Sequence, residues 1–598
     1  MRNRPYPRRT YLIAAACPLL ALAGLTLAAR SSAAFPAPVI SGIPLSAANA
    51  GAPPSLLSLS PQGAAAMQAL VESGHLPDLR WPDFTDYRAH LKNFYEPVGY
   101  QLGWVHPAQG STPQVTPQAL AVITLLEGAD NKGLHAEDYD GPRWPERLAR
   151  LRQTNSPPSE DDLARFDLAL TVSLMRYISD LHIGKVNPQH FKFGLDIENK
   201  KYKLQDLIRQ KIIDSQDPGS MLAEVEPPFE GYRRTIQALQ AYLALAKQGD
   251  GEFIAVPSKP IRPGGSYAAL PQLAKRLSLL GDLPASASPA SATGDTPTVY
   301  GGPLVDAVKH FQRRHGLDPT GVLDPKTAQE INVPLAGRVV QLQMALERWR
   351  WIPPGFPRPP IVVNVPEFQL RAYDAQHQIA LTMRVVVGKA YRHQTPVFAE
   401  DMRYVVFRPY WNVPISIQRS ELVPKIRKNR GYLQKQNYEM VDRKGQSLGA
   451  GPVTDAQLTD LQAGRISIRQ KPGPNNSLGS VKFLFPNEYN VYLHDTPAQA
   501  FFSKNRRDFS HGCIRLAEPA KLAAWVLADK PEWTSDRIKA AMNGDAPTQV
   551  NLDKPIPVLI LYSTAVVEAD GEVDFFDDIY GHDADLEKVL AKGYPYPG

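Results

Sequence analysis

Near residue 360 the spacing of apolar residues changes period, and this change decides what each half of the chain can fold into. Ahead of it, apolar residues recur every three or four positions, as in helices that bury one face. After it they alternate, as in half-buried strands. In the first part, "PQALAVITLLEGADNKGL" predicts a helix stopping at Gly133, and "DDLARFDLALTVSLMRYISDLHIGKVNP" a long one ending near Gly184. "PQLAKRLSLLGDL" predicts a third. In "GGPLVDAVKHFQRRHGLDPTGVLDPKTAQEINV", Leu304, Val308 and Phe311 share one helix face and Gly316 ends that helix. Asp324 with Pro325 starts the next. Past "RVVQLQMALERWRWIP", the runs "IVVNV", "FQLRAY", "IALTMRVVVG", "RYVVFRPYW", "VKFLF" and "NVYLHD" read as strands.

A chain of 598 residues is too long for one core. The expected layout is an export signal at 1–34, a flexible lead at 35–83 and a helical scaffold at 84–255. A compact helical unit follows at 260–335, broken by a low-complexity loop at 284–298, then a helical bridge at 336–359. Residues 360–560 form a β-rich domain, and 561–598 a C-terminal segment. Residues 415–478, dense in Lys, Arg, Gln and Gly, are expected to be a non-β insertion that caps the sheet, hinged at Trp411–Pro414.

Arg2, Arg4, Arg8 and Arg9 precede the apolar run Tyr11–Ala29, and Ser32-Ala33-Ala34 offers a cleavage site after Ala34. An uncleaved inner-membrane anchor is the alternative, since the run is nearly long enough to span a bilayer. Without this segment the net charge falls from +6 to +1, and nothing argues for nucleic acid as a partner. Cys17 leaves with it, so Cys513 becomes the single thiol of an exported chain, in a space where thiols oxidise.

That thiol sits in "DFSHGCIRL". His494 ends a strand, and fifteen residues intervene before Ser510-His511-Gly512-Cys513. A thiol needs a base or a positive neighbour to act as a thiolate, and His494 can supply one if the loop folds back. Gly512 permits a sharp turn. The N–H groups of Gly512 and Cys513, with His511, are candidates for an oxyanion hole. The opposing reading is an inert, buried cysteine. A metal site built from His494, Asp495, His511 and Cys513 lacks the short, paired ligand spacing of zinc sites, and neither metal nor cofactor is expected.

The pattern H-x15-S-H-G-C resembles the signature of the L,D-transpeptidases, which cross-link peptidoglycan through a cysteine nucleophile. "NVPEFQLRAY", "VVVGKAYRHQTPVF", "YWNVP" and "PVLILYSTAVVEADGEVDFFDDIYGHD" are similar to that family as well. "AVKHFQRRHGL…TGVLDPKT" resembles the small three-helix peptidoglycan-binding domain of cell-wall enzymes. From about residue 85 onward the order resembles the large Gram-negative subtype. Two positions depart from many members, Arg515 where Asn is common and Asp495 where Ser is common.

The fold class implied is multidomain α+β: helical scaffold, three-helix peptidoglycan-binding domain, and β-rich catalytic domain with a capping insertion. The resemblance implies Cys513 as nucleophile and His494 as base, with Ser510, His511 and Gly512 shaping the turn. Arg515 would bind a substrate carboxylate, and Tyr492 and Trp411 would line the stem-peptide groove. The implied substrate is a tetrapeptide stem whose third residue, meso-diaminopimelate, is cross-linked as D-Ala leaves. The setting would be periplasmic, the enzyme a carbapenem target with a part in cell shape. Expected partners are peptidoglycan stem peptides and glycan strands, with other cell-wall synthesis enzymes as candidates. Water, a D-amino acid or a lipoprotein could replace the second stem as acceptor. A non-enzymatic wall-binding scaffold is the reading from a different class.

Overall fold

The computed structural model describes residues 57–106, 113–153, 157–284, 299–391 and 393–597. The expected export signal, the first part of the expected lead and nearly all of the low-complexity loop lie outside the described residues. No described helix is long and apolar enough to cross a membrane.

The scaffold is built around the helix Glu160–Ile183. A capping box between Ser159 and Asp162 starts it, and Gly184 ends it. It is buried on most sides, and its Leu168, Val172 and Met175 sit in one core with Leu91, Val122 and Leu126 from surrounding helices and with Trp104. Residues 57–83 correct the expectation of a flexible lead. Pro61–Ser73 is a helix, capped by the Ser60 side chain and closed by Gly74 in the left-handed region. Met67 and Val71, four residues apart, are fully buried in the scaffold core. The Ala-rich composition concealed a helix whose fully buried core contacts come from these two side chains, with Ala64 and Leu70 packed beside them.

The helices Leu270–Leu279, Pro303–Arg314 and Pro325–Ile331 form a small unit with its own core, which includes Leu273, Val308, Phe311 and Ile331. Asp324 caps the last through the Thr327 N–H. The helix Leu335–Trp351 then leads to the sheet.

The central sheet has nine strands, numbered β1 (Ile361–Asn364), β2 (Gln369–Tyr373), β3 (Ile379–Gly388), β4 (Phe398–Phe407), β5 (Val481–Leu484), β6 (Leu493–His494), β7 (Asp508–Ser510), β8 (Ile514–Leu516) and β9 (Thr548–Leu561). Their order is β7-β3-β8-β6-β5-β4-β9-β1-β2, and a further β2–β3 pairing closes the sheet on itself. Val363, Val385, Val405, Phe483, Leu493, Ile514 and Ile560 fill the interior. The alternation that predicted strands is this division between an inner and an outer face.

The insertion between β4 and β5 also departs from expectation. It is not free of strands: Trp411–Asn412, Tyr438–Val441, Ser447–Gly449 and Ser467–Gln470 make a four-stranded sheet of their own. Helical segments pack on it over a separate core of Ile417, Val423, Ile426, Leu433, Leu461 and Ile468. These strands are short, and in Ser467–Gln470 the buried positions are Ile468 and Gln470, so no apolar alternation marks them.

Residues 561–598 are integral. A hairpin of Ala565–Val567 and Val573–Phe575 shares a core with the helices Glu230–Gln248 and Leu335–Trp351. Arg314 of the three-helix unit is paired with Asp282 at 2.5 Å and donates to the Val573 carbonyl at 3.1 Å, tying unit and hairpin together. Farther on, Tyr594 bonds to Asp86, and Tyr596 donates to Asp138 at 2.8 Å.

Candidate active site

β6 and β8 are neighbours and run parallel, with Leu493 opposite Ile514 and His494 opposite Arg515. Adjacent parallel strands cannot be joined by a tight turn and need a crossover of about a dozen residues or more. The interval between His494 and Ser510 is that crossover, and it carries a 3₁₀ turn (Gln499–Ser503) and β7. The spacing in the sequence therefore has a topological cause.

Side-chain alternation then sorts the residues. Leu493, Ile514 and Leu516 enter the core, leaving Tyr492, His494, Cys513 and Arg515 to the opposite face. Antiparallel pairing of β5 with β6 places Lys482 opposite His494. Lys482, His494 and Arg515 thus form a row across three strands, with Tyr492 and Cys513 one position along. The Lys482 ammonium lies 5.9 Å from the Tyr492 ring centroid, and the rings of Tyr492 and His494 are 5.7 Å apart.

The turn bearing the thiol is held from two sides. The Ser510 hydroxyl donates to the Cys513 carbonyl at 2.5 Å and accepts from the Gly512 N–H at 3.1 Å. The buried Thr395 donates to the Gly512 carbonyl at 2.8 Å and accepts from the Gly388 N–H at 2.9 Å. Tyr580 donates to the Gly388 carbonyl at 2.6 Å. Gly512 has φ +113°, a conformation open to glycine. Gly388 has no room for a side chain, since a Cβ there would lie 1.8 Å from the His393 carbonyl oxygen.

One expectation is corrected here. The Gly512 N–H is engaged by Ser510 and is not available for an oxyanion. Among the described residues, the His511 and Cys513 N–H groups have no acceptor.

His494 is buried, and its Nδ1 donates to the Asp495 carbonyl at 2.5 Å, leaving Nε2 as the acceptor. Burial first, then Arg515, drives its pKa down to about 3. Burial pushes the Cys513 thiol up, while the Tyr492 N–H and hydroxyl, Arg515 and Lys482 pull it back. Burial thus favours the neutral form of thiol and imidazole alike, and the thiol donates to the Asn490 carbonyl at 3.7 Å. Burial lowers both Lys482 and Arg515, and Cys513 opposes it in each case. Asp495 is structural: its carboxylate accepts from the Ser480 N–H at 2.8 Å and the Ser480 hydroxyl at 2.7 Å, where β5 begins.

His511 stands apart from this row. Its Nε2 donates to Glu421 of the cap at 2.6 Å, and its ring lies 4.8 Å from that of His393. Trp411, also from the cap, hydrogen-bonds the Tyr492 hydroxyl, which faces the Cys513 thiol. Glu421 lies on a π-helical turn, Gln418–Leu422. The buried Gln418 side chain at that turn's start holds the Leu461 carbonyl and the Ile468 N–H, each at 2.8 Å.

Lys482, Thr395, Tyr580 and Glu421 went unnoticed in the sequence. Lys482 did carry a faint signal, as the polar member of "VKFLF", but such a lysine ordinarily reads as solvated.

Three segments match known families: residues 89–239 a scaffold domain, 267–331 a "Putative peptidoglycan binding domain", and 358–550 the L,D-transpeptidase catalytic domain. A protein of Haemophilus influenzae named "Putative L,D-transpeptidase" is 30% identical over 273 residues. That stretch is 45% of this chain and 53% of the relative, so the chain spans about half of the relative's length. The segment that holds the registered strands and the held turn thus matches the L,D-transpeptidase catalytic domain, and the segments ahead of it match a scaffold domain and a "Putative peptidoglycan binding domain".

Proposed function

We propose that this chain is an exported L,D-transpeptidase that joins the third residues of two peptidoglycan stems through a thioester on Cys513. The observation that carries the reading is the parallel β6–β8 register, which sets thiol, phenol, imidazole and two cations on one face of adjacent strands.

In the donor half-reaction, His494 Nε2 takes the thiol proton as Sγ adds to the carbonyl joining the third residue, meso-diaminopimelate, to D-Ala. Lys482 and Arg515 offset the charge that appears on sulfur. The oxygen of the tetrahedral intermediate is met by the His511 and Cys513 N–H groups. His494 returns its proton to the departing D-Ala nitrogen as the C–N bond breaks, leaving the thioester. In the second half, the side-chain amine of another stem attacks that thioester, loses a proton to His494 and expels the thiol. Trp411 and Tyr492 bound the groove beside the sulfur.

The test is to incubate the protein with disaccharide-tetrapeptide and weigh the products. A dimer lighter by one D-Ala supports the reading. A disaccharide-tripeptide alone would make the protein a hydrolase, and unchanged substrate would leave it without this chemistry.

A further inference from the structure

A cavity of about 350 Å³ lies where five parts of the chain meet. They are the three-helix unit (within 313–326), the β1–β2 turn (366–369), Arg384 on β3, the residues just ahead of β7 (505–507) and the segment around the C-terminal hairpin (568–579). It is separate from the groove at Cys513, yet it touches the strand that leads to the Cys513 turn.

Its charges do not balance. Arg507 is 5% exposed, and its guanidinium donates to the main-chain carbonyls of Val385, Phe368, Lys504 and Asn505. Arg384 donates to the Phe502 carbonyl at 3.0 Å. Arg313 is exposed at the end of its helix. Among the described residues, none of these three guanidiniums has a carboxylate within ion-pair distance. Burial, and Arg384 beside it, pull Arg507 down to about 10. The carboxylates on the wall compensate only in part, Glu367 pulling Arg507 back up. Glu367 and Glu568 both pair with Arg371 at 2.7 Å, and Asp577 with Lys326 at 3.0 Å. Asp574 is raised to about 7, by burial and then by Glu568 and Glu367. A buried cation lacking a counter-ion is costly, and an anion supplied from outside would offset it.

The space is too small for a glycan chain and suits a single amino-acid terminus. Arg313 and Arg384, both exposed, have donors left for a carboxylate, Arg507 adds its buried charge with its N–H groups already spent on main-chain carbonyls, and Asp574 can accept from an ammonium on the same group. We propose that this cavity binds a second, non-reacting stem peptide by an end that bears both carboxylate and ammonium, as the side-chain terminus of meso-diaminopimelate does. This rests on the functional reading above. The stem enters beside the three-helix unit, so a glycan strand held there would be anchored next to the Cys513 turn. Val387 N–H bonds the Arg507 carbonyl, and Lys389 N–H bonds that of Ser510, so the same β3–β7 ladder borders both places.

The experiment is calorimetric titration of the full chain, carrying Cys513→Ala, with disaccharide-tetrapeptide. Two sites are expected. Adding Arg313→Gln with Arg384→Gln should weaken one of them by about ten-fold or more and leave the other. Arg384→Lys, which keeps the charge, should retain both. One site in the starting protein, or two unaltered sites in the double variant, would overturn the proposal. So would equal loss with Arg384→Lys and Arg384→Gln accompanied by the same fall in melting temperature, which marks a structural role. Inorganic phosphate displacing the second site, while a stem with its carboxylate amidated still binds there, would identify a general anion pocket and overturn the stem assignment. D-Ala release by the unmodified chain is measured alongside. Its absence would sink the transpeptidase reading whatever the titration shows.

Discussion

The central sheet and the cap both bear on the surroundings of Cys513, and they do so by different means. The sheet acts through its backbone: strand register sets Tyr492, His494, Lys482 and Arg515, and the Ser510–Thr395 bonds fix the turn. The cap acts through side chains, Glu421 on His511 and Trp411 on Tyr492, and folds around a core of its own. Register cannot change by small steps, whereas two polar contacts can break and re-form. On the function proposed above, the difference gives the chemistry to the sheet and access to the cap.

The largest effects should come from the sheet. Cys513→Ala should abolish D-Ala release, and His494→Ala should slow it by roughly 10²–10⁴-fold, with the cap's hydrogen exchange unchanged in both. In the cap, Ile426→Ala removes a fully buried side chain and should cost about 2–5 kcal/mol. Hydrogen exchange should rise within 411–478 and not in β3 or β4; uniform loss of protection would erase the distinction between the two regions. Thr395→Val keeps the shape but leaves the Gly512 carbonyl and the Gly388 N–H unpaired. It should cost about 1–3 kcal/mol by denaturant unfolding and lower kcat more than it raises KM.

Glu421→Gln should be milder still: a several-fold change in KM for the stem, with kcat held. A collapse of kcat would show that His511 serves the chemistry after all. The smallest effect is an expected absence. With His494 held down to about 3, its imidazole is already unprotonated above about pH 4, so it adds no acid limb to kcat/KM between pH 5 and 7. Activity should climb on the alkaline side, where the raised thiol ionises. The profile is best recorded in Glu421→Gln, which removes the cap pair; an acid limb persisting there would contradict the unprotonated imidazole.

What the sequence made legible follows the range of the interaction behind it. The strand Ile379–Gly388 was read to its ends, because alternation and a terminal glycine are local signals. The cap sheet escaped because its strands are two to four residues long and part-polar, and most of its pairing spans 25 or more residues. The helix Pro61–Ser73 escaped for a similar reason, since its alanines say little until Met67 and Val71 meet the scaffold. At the site, "HGC" and an upstream histidine are visible in one dimension. Lys482 joins them by the β5–β6 register, and Thr395 through a loop more than a hundred residues from Gly512. Nothing local marks either. The Gly512 N–H was misjudged because the Ser510 hydroxyl turned inward, a choice of rotamer.

The tyrosines near the end of the described chain have a consequence for the order of assembly. Tyr594 bonds Asp86 across 508 positions, and Tyr596 bonds Asp138 across 458. Asp138 also pairs with the buried Lys185 at 2.5 Å, and the Lys185 ammonium lies 4.8 Å from the Tyr596 ring centroid. During synthesis the scaffold emerges first, yet this polar cluster inside it stays incomplete until nearly every later residue has followed. This polar corner of the scaffold is therefore closed only by residues that are made last.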